Sequence, residues 1–234
     1  MPGIIELQTF ANRSAATAAA ANLLAHLVRD ALASGPRAEA SLVVSGGSTP
    51  GPCFDLLSIE PLDWSRVTVL PSDERWVPPG DPDSNEGLIR TRLLSGRAET
   101  GKMLPFFRAG IEAIQAPGII EQDLAHLAQP FSASLLGMGQ DGHFASLFPD
   151  FGRLAEALDP NNPAACMLVK TAGSPHLRIS LTLSALLNSV HTVLLIFGEA
   201  KRVVFESAKT GGSSYPIEAL LHQTCQPLTV IWAP

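Results

Sequence analysis

Short apolar runs alternate with segments of helical pattern along most of the chain, and no other feature constrains the fold as strongly. Seven runs are predicted to be buried strands: 41–45, 67–70, 134–136, 167–169, 178–183, 193–197 and 228–232. Six segments are predicted to be helices: 15–33, 85–94, 119–128, 183–188, 200–208 and 217–222. Because uniformly apolar strands separated by helices are typical of parallel sheets, we predict an α/β fold whose mainly parallel sheet is covered on both faces. No repeat or convincing linker interrupts the pattern, which favours one domain over residues 1–234.

Composition and charge exclude several classes of protein. Apolar residues make up 46% of the chain and charged residues only 16%, a balance that argues against intrinsic disorder. The 16 basic and 22 acidic residues give a net charge of −6, and no long basic run is present. Nucleic acid is therefore not an expected partner. An anionic ligand would need a locally positive pocket that works against the overall charge.

The cysteines and the apolar stretches indicate the compartment. Cys53, Cys166 and Cys225 are odd in number and lack CxxC spacing, so we expect buried free thiols in a reducing cytoplasm. No stretch of about 18 uncharged apolar residues exists, so we expect no membrane-spanning helix.

The first helical segment imitates a signal peptide, because residues 14–28 are uncharged and rich in alanine. Glu6 precedes this stretch, however, and Arg29 and Asp30 stand directly before the potential cleavage site. We therefore predict an amphipathic first helix with Ser14 as its N-cap, in a cytoplasmic protein.

Parallel sheets bind ligands beyond the carboxyl ends of their strands, and four segments at such positions carry reactive or ligand-binding residues. The first is the loop 45–50, in which Gly46 and Gly47 allow a tight turn and close approach to a ligand. Free N–H groups of this loop, including those of Ser48 and Thr49, would hold a phosphate at the start of a helix. A plain glycine-rich turn is the alternative, and the absence of lysine excludes a Walker A loop.

The second segment, 72–78, places Arg75 directly after two acidic residues. Arg75 either forms a solvated ion pair with these acids or binds an anion, while Asp73 orders hydroxyl groups or loops. Just beyond this segment, Asp83 or Ser84 is predicted to cap the helix that begins near residue 85.

The third segment, 136–149 (LGMGQDGHFASLFP), is the most informative. Gly137, Gly139 and Gly142 surround an acid and a histidine immediately after a strand, which indicates close backbone approach to a ligand. Asp141 can fix the loop geometry, and His143 can exchange a proton near neutral pH. A lone histidine is usually structural, but the surrounding glycines favour a functional role here.

The fourth segment, 198–201, places Lys201 at the start of a helix after a strand, and Arg178 lies upstream of it. Exposed cations with no function are the alternative for both residues. Together they could supply the positive charge that the composition lacks.

In this order, the four segments closely resemble the 6-phosphogluconolactonase family across essentially the whole chain. The matching stretches are SGGSTP (45–50), SDERWVP (72–78) with DSN (83–85), LLGMGQDGHFASLFPD (135–150) and GEAKR (198–202). The resemblance implies a Rossmann-like, three-layer αβα sandwich, the fold of glucosamine-6-phosphate deaminase and ribose-5-phosphate isomerase.

The resemblance also implies an activity, the hydrolysis of 6-phospho-D-glucono-1,5-lactone to 6-phosphogluconate, which is the second step of the oxidative pentose phosphate pathway. The substrate would be a small phosphorylated sugar lactone, no cofactor or metal would be needed, and we expect a monomer. His143 matches the general base, with Asp141 beside it. The substrate-binding and phosphate-binding roles fall on Gly46, Gly47, Ser48, Thr49, Asp73, Arg75, Gly139, Arg178 and Lys201.

Two positions depart from the family pattern. Phe144 follows His143 where threonine is usual, which we expect to reshape the edge of the pocket. Ala233 and Pro234 follow Trp232 where an acid is common, which affects the expected packing at the C-terminus.

Two other functions fit the same fold. An amino-sugar-phosphate deaminase would need a further carboxylate after the histidine, but residues 145–149 (ASLFP) contain none, and Arg75 stands where tyrosine is expected. A non-catalytic sugar-phosphate sensor would usually carry a helix-turn-helix, and the residues before Ser41 leave no room for one.

Overall fold

The computed structural model describes residues 5–234, a range that contains ten strands and eight α-helices. The strands are β1 Ile5–Thr9, β2 Ala40–Val44, β3 Val67–Pro71, β4 Asp73–Arg75, β5 Lys102–Met103, β6 Ala133–Leu136, β7 Cys166–Val169, β8 Arg178–Leu181, β9 Thr192–Phe197 and β10 Leu228–Ala233. The helices are α1 Arg13–Ala33, α2 Gly51–Leu57, α3 Asn85–Arg92, α4 Ala116–Leu124, α5 Leu154–Ala157, α6 Leu183–Leu187, α7 Glu199–Thr210 and α8 Ile217–Leu221.

The main sheet has seven strands in the order β1-β10-β9-β6-β2-β3-β5, and all neighbouring pairs run parallel. From β2 the chain winds outward through β3 to β5, and β6 then returns to the other side of β2. The direction of winding therefore reverses between β2 and β6, where the carboxyl ends of open α/β sheets form a binding crevice.

Helices cover both faces of this sheet. Side chains of a strand point alternately to its two faces, so Leu42 and Val44 of β2 pack in one buried cluster with α1, α2 and α3. Val43 points the other way and packs in the second cluster, which includes residues of α4, α6, α7 and α8. The prediction of a three-layer α/β sandwich with a mainly parallel sheet is therefore confirmed.

A second, antiparallel sheet in the order β4-β8-β7 was not predicted. The run 167–169 and the first four residues of the run 178–183 do form strands, but they pair with each other and with Asp73–Arg75 instead of joining the main sheet. Residues 182 and 183 were wrongly predicted as strand, because Thr182 caps α6 and Leu183 begins it. Apolar content alone does not specify a pairing partner. This small sheet matters for the site because it places Arg75 directly opposite Arg178.

Several local predictions need correction. The N-cap of α1 is Asn12, whose side chain accepts from the N–H of Ala15 at 2.9 Å, and not Ser14. Cys53 and Cys166 are buried as expected, but Cys225 is exposed. Within residues 5–234, no helix has the length and apolar character that crossing a membrane requires.

Candidate active site

A cleft of about 280 Å³ lies at the reversal between β2 and β6. The loop 45–50 enters it after β2, the loop 137–145 after β6, and Lys201 from the start of α7 after β9. The cleft brings together most of the predicted site residues: Gly46, Gly47, Ser48, Thr49, Asp73, Arg75, Gly139, His143, Arg178 and Lys201. Asp141 is the exception, since it lies behind His143 and lines a neighbouring cavity instead.

His143 is held by Asp141 from outside the cleft. Its Nδ1 lies 2.5 Å from Oδ1 of Asp141. An ionised carboxylate can only accept, so this contact assigns the proton to Nδ1 and leaves the lone pair of Nε2 free. The imidazole ring also packs on Phe148, with 4.3 Å between the ring centroids. The histidine is therefore fixed in both tautomer and orientation.

Tight backbone geometry shapes the loop around this histidine. A Cβ at Gly139 would collide with the ring of His143 and the carboxylate of Asp141. Ala145, three residues after the loop glycine Gly142, adopts the left-handed region with φ of 48°, which is costly for a residue with a side chain. Phe144, at the position where threonine was expected, is fully buried at the edge of the cleft.

Asp73 does not present a free carboxylate to the cleft. It is 5% exposed, and its oxygens accept from the hydroxyls of Ser72 at 3.0 Å and of Ser146. The Nη1 of Arg178 lies 3.8 Å from the same carboxylate and 3.5 Å from the Ser146 hydroxyl. Asp73 therefore ties Arg178 to the segment that follows His143.

Three cations line the cleft, although the chain as a whole is acidic. Arg75 donates from Nη1 to the carbonyl of Asp83, while its buried Nε has no partner within residues 5–234. Burial lowers the pKa of Arg178, partly offset by the charge of Asp73. Burial also lowers the pKa of Lys201, and Lys201 has no carboxylate within 4 Å in the described range. The cleft can therefore attract an anion.

The family model for glucosamine-6-phosphate isomerases and 6-phosphogluconolactonases matches residues 11–232. The chain belongs to this family. A 6-phosphogluconolactonase from Rhizobium meliloti is 39% identical over 230 residues, which cover 97% of this chain and 98% of that protein. One from Pseudomonas aeruginosa is 35% identical over 236 residues, with 100% and 97% covered.

A solved structure of a 6-phosphogluconolactonase from Shewanella baltica superposes with a TM-score of 0.93 at 36% identity, with both chains covered completely. The resemblance to 6-phosphogluconolactonases that the four motifs indicated is thus confirmed over the whole length. Within the family, the relatives at this level of identity carry the lactonase name.

Sequence reasoning missed two family-motif residues that build the cleft. Asn85 lines it and donates from Nδ2 to the backbone carbonyl of Asp73 at 2.7 Å, and its side chain occupies the space where a Cβ on Gly46 would lie. Ser146 bridges Asp73 and Arg178, as described above. Asn85 and Ser146 lie inside the matching stretches 83–85 and 135–150, but the tertiary fold decides which groups their side chains hydrogen-bond.

Glu74 is the second acid beside Arg75, and the predicted alternative of a solvated ion pair is wrong for it. The side chain is fully buried, and its carboxylate accepts from the N–H groups of Arg75 and Asn85 at 2.8 Å and of Glu86 at 2.6 Å. The hydroxyl of Ser84, which caps α3 through the N–H of Gly87, donates to it as well. Burial raises the pKa of Glu74 to about 7.

Proposed function

We propose that this chain hydrolyses 6-phospho-D-glucono-1,5-lactone to 6-phospho-D-gluconate, the second step of the oxidative pentose phosphate pathway. The observation that carries the proposal is the pair of His143 and Asp141 in a cleft lined by three cations. This combination suits a substrate with an ester carbonyl at one end and a phosphate at the other.

The proposed chemistry is direct attack by water. The free Nε2 of His143 removes a proton from the water as its oxygen bonds to C1 of the lactone. The carbonyl becomes a tetrahedral oxyanion, which loop N–H groups or a cation of the cleft stabilise. The bond between C1 and the ring oxygen then breaks, and the protonated His143 returns its proton to that oxygen. Asp141 acts as a positioning residue, since it holds Nδ1 protonated throughout.

The phosphate supplies binding energy at a distance from the reacting carbon. We propose that the loop 46–49 binds it together with Arg75, Arg178 and Lys201. Because Arg75 and Arg178 are already held by the carbonyl of Asp83 and the carboxylate of Asp73, they orient C1 toward His143 at little entropic cost.

The decisive experiment measures lactone hydrolysis with and without His143. The lactone is generated in situ by glucose-6-phosphate dehydrogenase, product is followed by a coupled 6-phosphogluconate dehydrogenase, and spontaneous hydrolysis is subtracted. We expect His143→Ala to lower kcat by about 10²–10⁴-fold, the usual contribution of general acid–base catalysis. His126→Ala, at an exposed position outside the cleft, serves as the matched control and should retain wild-type kcat.

The possible outcomes test the lactonase reaction and the role of His143 as the base separately. A wild-type acceleration that His143→Ala retains would keep the reaction and reject His143 as the base. Absence of acceleration by the folded wild type would reject the lactonase proposal. Release of ammonia from glucosamine-6-phosphate would then favour the deaminase, and binding without turnover would favour the sensor.

A further inference from the structure

A second, larger cavity of about 590 Å³ adjoins the catalytic cleft. Ser48 and Thr49 line both spaces, so the loop between them forms a shared wall. The other walls come from the start of α1, from α2 and from the end of β9. The proposed hydrolysis uses no residue of these other walls.

One wall of this second cavity offers groups that bind anions. The N–H of Ala15 donates to the side chain of Asn12. Within residues 5–234, the N–H groups of Arg13 and Ser14 make no hydrogen bond. The positive end of a 21-residue helix therefore faces the cavity. Arg13 donates from Nε to the carbonyl of Pro234 at 3.1 Å, which leaves its terminal nitrogens for a ligand.

Thr17 is the second and independent indication of a ligand on this wall. Its side chain lines the cavity, although the residue is only 4% exposed. Thr91 and Thr210 bond back to carbonyls of their own helices, whereas no hydrogen bond within residues 5–234 involves the Thr17 hydroxyl. The Thr17 hydroxyl is also not among the unpartnered side-chain atoms that are closed off from solvent, so it remains accessible from the cavity. A buried polar group normally has a partner, so a hydroxyl left open toward a cavity points to a ligand that supplies it.

The opposite wall is apolar and suits a flat ring. It is formed by Pro52, by Leu56, which is 39% exposed, and by the half-buried ring of Phe197. The guanidinium of Arg13 lies over the ring of Phe197 at 5.4 Å, a stacking contact that an aromatic ligand could extend. Asp55 also lines this wall, but Arg92 binds its carboxylate and balances its charge.

We propose that this second cavity binds a phosphate ester that carries a planar aromatic ring, of which a 5′-nucleotide is the common kind. The phosphate binds the start of α1 with Arg13 and Thr17, and the ring packs on Pro52, Leu56 and Phe197. The occupant also touches the outer side of Ser48 and Thr49, so its binding is coupled to the catalytic cleft through their loop.

Calorimetric titration of the folded chain with 5′-AMP tests the proposal, with adenosine and inorganic phosphate as separate probes. We expect 5′-AMP to bind at least tenfold more tightly than either fragment, because only 5′-AMP contacts both the anion-binding wall and the apolar wall. Arg13→Gln should weaken 5′-AMP binding about tenfold or more, the usual effect of losing a charged partner. Thr17→Val keeps the side-chain shape and should weaken it by a smaller factor, while the exposed Arg37→Gln is the control.

A crossed measurement separates this cavity from the catalytic cleft. Arg75→Gln should weaken the binding of 6-phosphogluconate and leave that of 5′-AMP within about twofold. Arg13→Gln should weaken the binding of 5′-AMP more than that of 6-phosphogluconate, because the charge of Arg13 also reaches Lys201 in the cleft. If 5′-AMP binding follows Arg75 and not Arg13, the nucleotide occupies the catalytic cleft and the proposal is wrong. Absence of binding at millimolar 5′-AMP, or phosphate alone binding as tightly, would equally overturn it, whether or not the chain hydrolyses the lactone.

Discussion

At the scale of single residues, the site depends on positions that admit no side chain. The spacing of glycines around His143 and Asp141 was visible in the sequence and predicted close approach of the backbone to a ligand, which stays a prediction; the structure shows that the loop also packs tightly on itself. What the sequence did not show is which atoms each glycine faces. The Cα of Gly139 faces both members of the His143–Asp141 pair, a relation that only the folded loop creates.

Gly139→Ala is therefore expected to damage catalysis more than stability. The added methyl group would push the His143 ring or the Asp141 carboxylate aside, and a misplacement of about 1 Å can cost on the order of 10²-fold in rate. We expect kcat to fall by about 10–10²-fold while the melting temperature changes by a few degrees. Gly152→Ala is the control, since nothing lies within 4 Å of a Cβ at that exposed position. Equal kcat values in the two variants would show that the loop accommodates the methyl group without displacing His143 or Asp141.

At the scale of secondary structure, the sequence predicted five of the seven strands of the main sheet (β2, β3, β6, β9 and β10) and most of the helices, because their apolar periodicity is local. The sequence did not predict the edge strands β1 and β5 or the short helix α5. It did not predict β4, whose three residues are charged and which exists because its backbone pairs with β8. Glu74 in this strand binds the start of α3, so one buried carboxylate connects a strand of the small sheet to a helix of the large one. The contact between Glu74 and the start of α3 depends on the tertiary fold, so no local sequence pattern predicts it.

The raised pKa of Glu74 predicts a specific dependence of stability on pH. Between the ordinary glutamate pKa and about 7, the folded chain keeps a proton that the unfolded chain has lost, so stability falls as the pH rises through this window. The loss should reach roughly 3 kcal/mol and level off above pH 8. Urea unfolding of the wild type and of Glu74→Gln between pH 5 and 9 isolates this contribution, because other titrating groups cancel in the difference. A difference that stays constant with pH would mean that the four donors around Glu74 keep it ionised.

At the scale of the whole molecule, charge is distributed unevenly. The chain carries a net charge of −6, yet Arg75, Arg178 and Lys201 converge on one cleft at the reversal of the main sheet. The composition alone required a locally positive pocket for any anionic ligand, and the motifs indicated which cations would form it. Their convergence follows from topology, because β4, β8 and β9 bring Arg75 to two residues that lie more than a hundred positions further along the chain. The prediction that these residues belong to a single domain stays a prediction.

This focusing of charge predicts that Lys201 acts mainly on substrate binding. Lys201→Gln removes a half-buried cation with no carboxylate partner among the described residues, so the phosphorylated substrate loses one of the three cations proposed to attract it. We expect KM for the lactone to rise about tenfold or more, with kcat changed by less than about threefold, because the phosphate lies away from the reacting carbon. Lys209→Gln removes an exposed cation from the same helix and should leave both constants unchanged. Raising the ionic strength should increase KM more for the wild type than for Lys201→Gln, since salt screens only the charge that is still present. A fall in kcat with constant KM would instead place Lys201 at the developing oxyanion.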